Sequence, residues 1–180
     1  TPFSTMYNLF TMMKLDKELY DMDQACKVMK EVIMAHPALL TTYYWNEDGV
    51  LMQRYSPEIF EEIHVEHLTE FELKYVKDTL VYPFKIIGGR LYRCRIFETE
   101  KAGYFFFDVH HSVFDGTSFK VIMDSIEKVF MGQPLDQDYY YLMLQDREIV
   151  AHTAFYEESR RYFEERYDGI DWSEYPFIDH

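Results

Sequence analysis

Residues 104–111 read Tyr-Phe-Phe-Phe-Asp-Val-His-His and constrain the fold more than any other stretch. Large apolar side chains fall on both faces of this strand, so it must run through the middle of a sheet that is covered on both sides. Two imidazoles end the strand, a short turn follows, and Asp115-Gly116 then opens an apolar-periodic segment with Phe119, Ile122, Ile126, Val129 and Phe130 on one face. That spacing predicts a helix, capped by Thr117 or Ser118 and closed near Gly132.

The rest of the chain supplies what such a sheet needs. Residues 4–15 alternate and predict a strand. Residues 21–36 carry Met22, Ala25, Cys26, Met29, Val32 and Ile33 at helical spacing. Asp21 or Asp23 can cap that helix, and Pro37 ends it. Residues 40–46 and 50–55 flank Glu47-Asp48-Gly49, and Asp-Gly between two β-prone runs predicts a hairpin. A further strand is expected at 59–65, a helix at 70–81, and a strand at 91–98 joined to 104–111 by a turn at Lys101-Ala102-Gly103. Residues 147–167 predict one charged helix, and 168–180 an irregular tail. The order gives a mixed α/β fold with one sheet and packed helices.

Composition narrows the function classes. A formal net charge of -14 argues against nucleic-acid binding, which needs a basic face, and against docking on an anionic membrane. The 16 Tyr and 15 Phe supply contact area for a core or an interface. Cys26 and Cys94 lack metal-ligand spacing and read as reduced thiols, which places the chain in a reducing, cytoplasmic compartment. His64 and His67 lie in an acidic run without a third placed ligand, so a solvated edge is expected there and no metal site. His36 is expected to serve its helix end, and His152 and His180 need no function. Tyr139-Tyr140-Tyr141 either packs under the last helix or meets a partner.

The chemistry lies in Val109-His110-His111-Ser112-Val113-Phe114-Asp115-Gly116-Thr117. A histidine at a strand tip can act as a general base near neutral pH. Asp115 can hold the turn by accepting hydrogen bonds or by pairing with an arginine. Gly116 permits a sharp turn or close ligand approach. The Gly116 and Thr117 N–H groups can face a developing oxyanion.

His110-His111-x-x-x-Asp115-Gly116 resembles the His-His-x-x-x-Asp-Gly motif of nonribosomal peptide synthetase condensation domains, within the chloramphenicol acetyltransferase-like superfamily. Ala35-His36-Pro37-Ala38-Leu39 resembles that family's Arg-His-x-x-Leu-Arg segment. Pro83-Phe84 with Gly89-Arg90-Leu91-Tyr92-Arg93, and Gly132-Gln133-Pro134-Leu135, resemble two further stretches. The resemblance covers about residues 4–175. It implies one lobe of the family's fold, an α+β sandwich with a mostly antiparallel mixed sheet. It also implies that residues 1–180 are a single domain, the N-terminal lobe, with the C-terminal lobe absent and the chain inactive alone.

The resemblance further assigns roles. His111 deprotonates or positions the amine of an acceptor aminoacyl thioester as it attacks a donor thioester. His110 is a structural neighbour, Asp115 pairs with an arginine, and Gly116 lines the channel. Both substrates arrive on the phosphopantetheine arms of donor and acceptor carrier proteins, so no cofactor is bound tightly. An exposed inter-lobe surface would favour self-association. Two departures stand out: Ala35 and Leu40 occupy the places of the family's two arginines. Asp115 then needs another partner, with Arg54, Arg90, Arg93 and Arg95 as candidates. A CoA-dependent O- or N-acyltransferase and a non-catalytic carrier-docking module are the competing readings.

Overall fold

A computed structural model describes residues 4–151 and 153–170. One compact unit ends at Asp138 and a second begins at Tyr139. In the first, the chain runs β1 (Asn8–Leu15), α1 (Met22–Ala35), β2 (Thr41–Trp45), β3 (Leu51–Tyr55), a 3-10 turn (Pro57–Ile59), β4 (Val65–His67), α2 (Glu70–Lys77), β5 (Tyr92–Glu98), β6 (Gly103–His110) and α3 (Gly116–Phe130).

The four-stranded sheet has the order β1-β6-β5-β4, so the doubly apolar strand is internal as expected. β6 is antiparallel to both β1 and β5, whereas β4 joins β5 in parallel. Its two faces bury different partners. Phe105, Phe107 and Val109 join Tyr92, Ile96 and the buried faces of α1 and α3. Phe106 meets Phe97, Leu73 of α2 and Leu80 on the other side. Phe107 stacks on Phe105 and takes the edge of Phe114, with centroids 6.1 Å and 5.8 Å apart, so the core reaches directly under the turn that follows β6.

Local chemistry explains the ends. The Asp21 side chain accepts the Gln24 N–H and caps α1. Thr69 and Glu72 form a reciprocal capping box at α2. Gly49 turns the β2–β3 hairpin with φ 74°, while Asn46 Oδ1 accepts the Asp48 and Val50 N–H groups. Gly132, at φ 67°, follows α3 in the left-handed conformation that suits a helix end.

Four expectations are corrected in this unit. The β2–β3 hairpin forms a sheet of its own and meets the main body through the Tyr43–Ile87 bridge, so there are two sheets among the described residues. Residues 59–65 are mostly not a strand: Pro57 starts a helical turn, and pairing begins only at Val65. The α3 cap is Asp115 instead of Thr117 or Ser118. His36 does more than end α1, because its Nδ1 lies 2.9 Å from Asp138 Oδ2 and its Nε2 3.0 Å from Ser125 Oγ. It thereby ties α1 to α3 and to the segment beyond.

The second unit contains α4 (Tyr140–Ala151) and α5 (Ala154–Arg166). The single helix expected at 147–167 is therefore two: Thr153 accepts the Tyr156 N–H and starts α5 afresh. Arg160 bridges Glu157 and Glu164 on the charged face. Leu142, Met143, Ile149, Val150, Phe155 and Phe163 are exposed. His152 and the stretch 171–180, which includes His180, lie outside the described residues. Among the described residues no helix is long and apolar enough to cross a membrane.

Candidate active site

β6 carries the two histidines to the rim of the sheet and β1 holds them there. Asn8 stands opposite His110 in the register, and the His111 N–H donates to the Tyr7 carbonyl at 2.8 Å. The His110 N–H donates to Leu91 O at 2.8 Å, and the Val113 N–H closes back on His110 O at 3.1 Å. Val113 and Phe114 are buried and anchor the turn in the core.

The two rings are fixed differently. His111 Nδ1 lies 2.8 Å from the Phe114 carbonyl oxygen. A carbonyl only accepts, so Nδ1 carries the proton and the Nε2 lone pair is left for another group. His111 is exposed. His110 Nδ1 receives the Ser112 N–H at 3.2 Å and sits 2.8 Å from Ser112 Oγ, which puts its proton on Nε2. Burial and the neighbouring His111 lower the His110 pKa and keep that ring neutral. The rings of Tyr7 and Phe84 flank it, each 6.0 Å away.

Asp115 differs from its expected role. Its Oδ1 accepts the Ser118 N–H at 2.7 Å and the Ser118 hydroxyl at 2.8 Å. These bonds hold its carboxyl below the ordinary range, with smaller help from the Thr117 N–H and His111. Among the described residues no arginine reaches it. Arg90 pairs with Glu61, Arg93 with Asp108 and Arg95 with Glu66, while Arg54 lies over the Tyr44 ring. The expected arginine partner is thus replaced by a helix cap. Asp115 is exposed, so no buried charge is left unpaired. Leu40, where the resemblance expects an arginine, is fully buried in the core. Gly116 is exposed, its φ is not positive, and a Cβ there would meet nothing within 4 Å. The fold itself does not demand glycine at that place.

The structure also shows a group that sequence reasoning missed. Asp108 is fully buried, its Oδ2 2.5 Å from the Arg93 guanidinium. Asn8 Nδ2 donates to both Asp108 oxygens, at 3.2 and 3.0 Å, and to Tyr82 O at 3.1 Å. Burial pushes the Asp108 carboxyl up, against Asn8 and Arg93, which favour its charged form. A carboxylate inside a doubly apolar strand was the available signal, since it must find a partner.

The other sequence candidates take structural places. His67 Nδ1 lies 3.1 Å from Glu98, and Glu61, Glu62 and Glu66 are paired with Arg90, Lys30 and Arg95. Among the described residues no group of three ligands is placed to hold a metal. Cys26 and Cys94 are free thiols, and burial raises both pKa values, that of Cys26 to about 11.

The condensation-domain family model matches residues 1–171, so the chain belongs to the condensation-domain family. Surfactin synthase subunit 1 of Bacillus subtilis (strain 168) is 30% identical over 133 residues, which make up 73% of this chain and 4% of that protein. Among solved structures, the starter condensation domain of rhizomide synthetase RzmA aligns with TM-score 0.68 and 13% identity, over 94% of this chain and 44% of that one. The epimerization domain from the third module of tyrocidine synthetase B aligns with TM-score 0.68 and 16% identity, over 94% and 42%. The chain thus spans under half of these solved chains and a few per cent of the curated relative, and its mixed sheet and helices form one lobe of the chloramphenicol acetyltransferase-like fold.

Proposed function

We propose that this chain contributes the histidine side of a condensation site that joins carrier-bound aminoacyl or peptidyl thioesters into a peptide bond. The observation that carries the reading is His111, exposed, with Nδ1–H committed to Phe114 O and the Nε2 lone pair available. Nε2 accepts a proton from the acceptor amine, or orients it, as the amine nitrogen attacks the donor thioester carbonyl. The C–N bond forms, the C–S bond breaks, and the departing thiolate takes up the proton released by the amine, which leaves a free thiol on the donor arm. His110, neutral and flanked by Tyr7 and Phe84, supports the tip. Asp115 starts α3 and shapes the turn. The open space at Gly116 suits the approach of a phosphopantetheine arm, which belongs to the substrates, so no tightly held cofactor is required.

Substrates must be held in attack geometry, and this chain spans only 44% of the rhizomide synthetase domain. We therefore assign residues 1–180 to a single N-terminal lobe whose opposing lobe is supplied elsewhere in the full-length protein. The isolated chain is expected not to turn over. Donor and acceptor carrier proteins are the proposed partners, in a cytoplasmic setting that suits free thiols. The exposed apolar side chains of α4 and α5 are available for partner contact or self-association.

The test is single-turnover transfer in the full-length protein, with the acyl donor supplied either on a carrier protein or as acyl-CoA. Amide product from the carrier-bound donor alone supports the proposal. Efficient transfer from acyl-CoA would assign the site to a CoA-dependent acyltransferase, and binding of loaded carrier without transfer would make it a docking module.

A further inference from the structure

Directly beneath the histidine tip lies a polar assembly that links three segments. The Arg93 guanidinium donates to Asp108 Oδ2 at 2.5 Å and to Pro83 O at 3.1 Å, and lies between the rings of Tyr82 and Phe84, 3.4 and 3.8 Å from their centroids. Asn8 joins Asp108 to Tyr82 O from the β1 side. Each segment held in this way also touches the tip. Asn8 is the register partner of His110, and the adjacent Tyr7 receives the His111 N–H through its carbonyl. Phe84, stacked on Arg93, presents its ring edge-on to His110.

A buried ion pair is a weak source of stability, since well-packed apolar residues of similar volume often do as well. Its distinguishing property is direction: a planar fork with fixed donors sets register and orientation, which apolar packing does not. We propose that Arg93 and Asp108 are positioning residues that hold β1 and residues 82–84 against the histidine tip and so fix the ring orientation of His111. The functional weight of this rests on the reading of His111 given above. The positioning itself can be measured without turnover.

The test uses this chain with ¹⁵N-labelled histidine and reads two quantities: the thermal unfolding midpoint, and the ratio of Nδ1–H to Nε2–H tautomer at His111. In the double variant Arg93→Met with Asp108→Leu, the midpoint is expected to stay near that of the parent. The Nδ1–H preference of His111 is expected to fall by roughly threefold or more as its bond to Phe114 O loosens. Arg95→Met, which removes the neighbouring Arg95–Glu66 pair on the same strand, is expected to change neither. A folded double variant with an unchanged tautomer ratio would overturn the proposal, as would an equal change in Arg95→Met. If the double variant does not fold, Arg93→Lys decides. Lysine keeps the charge but cannot lie flat between two rings while donating to Asp108 and Pro83 O. It is expected to shift the ratio in the same direction, and an unchanged ratio there overturns the proposal too. Failure of these tests leaves the proposed role of His111 standing, because an unchanged ratio keeps its Nε2 lone pair available and the role itself is read by transfer in the full-length protein.

Discussion

Replacing Asp115 separates a helix cap from a charge anchor. In the structure Oδ1 accepts two hydrogen bonds from Ser118, and no arginine is within reach among the described residues. Asparagine caps a helix about as well as aspartate, whereas alanine cannot cap. Asp115→Asn should therefore keep the thermal midpoint near the parent value. Asp115→Ala should lower the folding equilibrium constant about fivefold, or roughly 3 °C in midpoint for a chain of this size. The loss is limited because the site is exposed and water can take over the Ser118 N–H. The sign of the pH effect follows from the lowered carboxyl pKa. The native state binds fewer protons than the unfolded state in this window. The cap's charged contribution is complete above about pH 4 and disappears as pH falls through the native value. The gap between parent and Asp115→Ala should close in acid, while Asp115→Asn keeps its margin over Asp115→Ala. Circular-dichroism melts at pH 7 and pH 2.5 read all three. An Asn variant as damaged as the Ala variant at pH 7 would refute the cap and restore a charge partner.

Other substitutions test the frame around the site. Phe107→Ala empties a buried position between Phe105 and Phe114 and should cost roughly 3–5 kcal/mol in urea unfolding; a loss under about 1 kcal/mol would mean that the core does not run beneath the turn. Gly116→Ala should leave the midpoint unchanged or slightly raised, since its Cβ enters open space at a helix start. In the full-length protein Gly116→Trp should suppress transfer by filling that space, and wild-type transfer would show that no substrate passes there.

The parts legible in the sequence were those set by local pattern. The periodicity of α1 and α3, the Asp-Gly hairpin and the two-faced apolar strand each follow from near neighbours, and the His-His-x-x-x-Asp-Gly motif placed the tip at the right strand end. What escaped was set by distant partners. β4 is three residues long and exists through parallel pairing with β5, a contact 31 residues away at Val65–Ile96. The Arg93–Asp108 pair needs the β5–β6 register before either residue can be matched. Asp115 was expected to need an arginine by resemblance, yet Ser118, three residues on, satisfies it locally, and Leu40, where the resemblance expected an arginine, is buried. The break before α5 turned on Thr153, whose capping hydroxyl was hidden within the mostly apolar run of residues 149–156.

The proposed function places the acceptor amine at His111 and not at His110. Single-turnover transfer between loaded carrier proteins, measured in the full-length protein carrying His111→Ala or His110→Ala, separates the two rings. His111→Ala is expected to abolish amide formation while far-UV circular dichroism and the unfolding midpoint of the lobe stay near the parent values. Amide formation at the parent rate by a folded His111→Ala protein would remove His111 from the reaction.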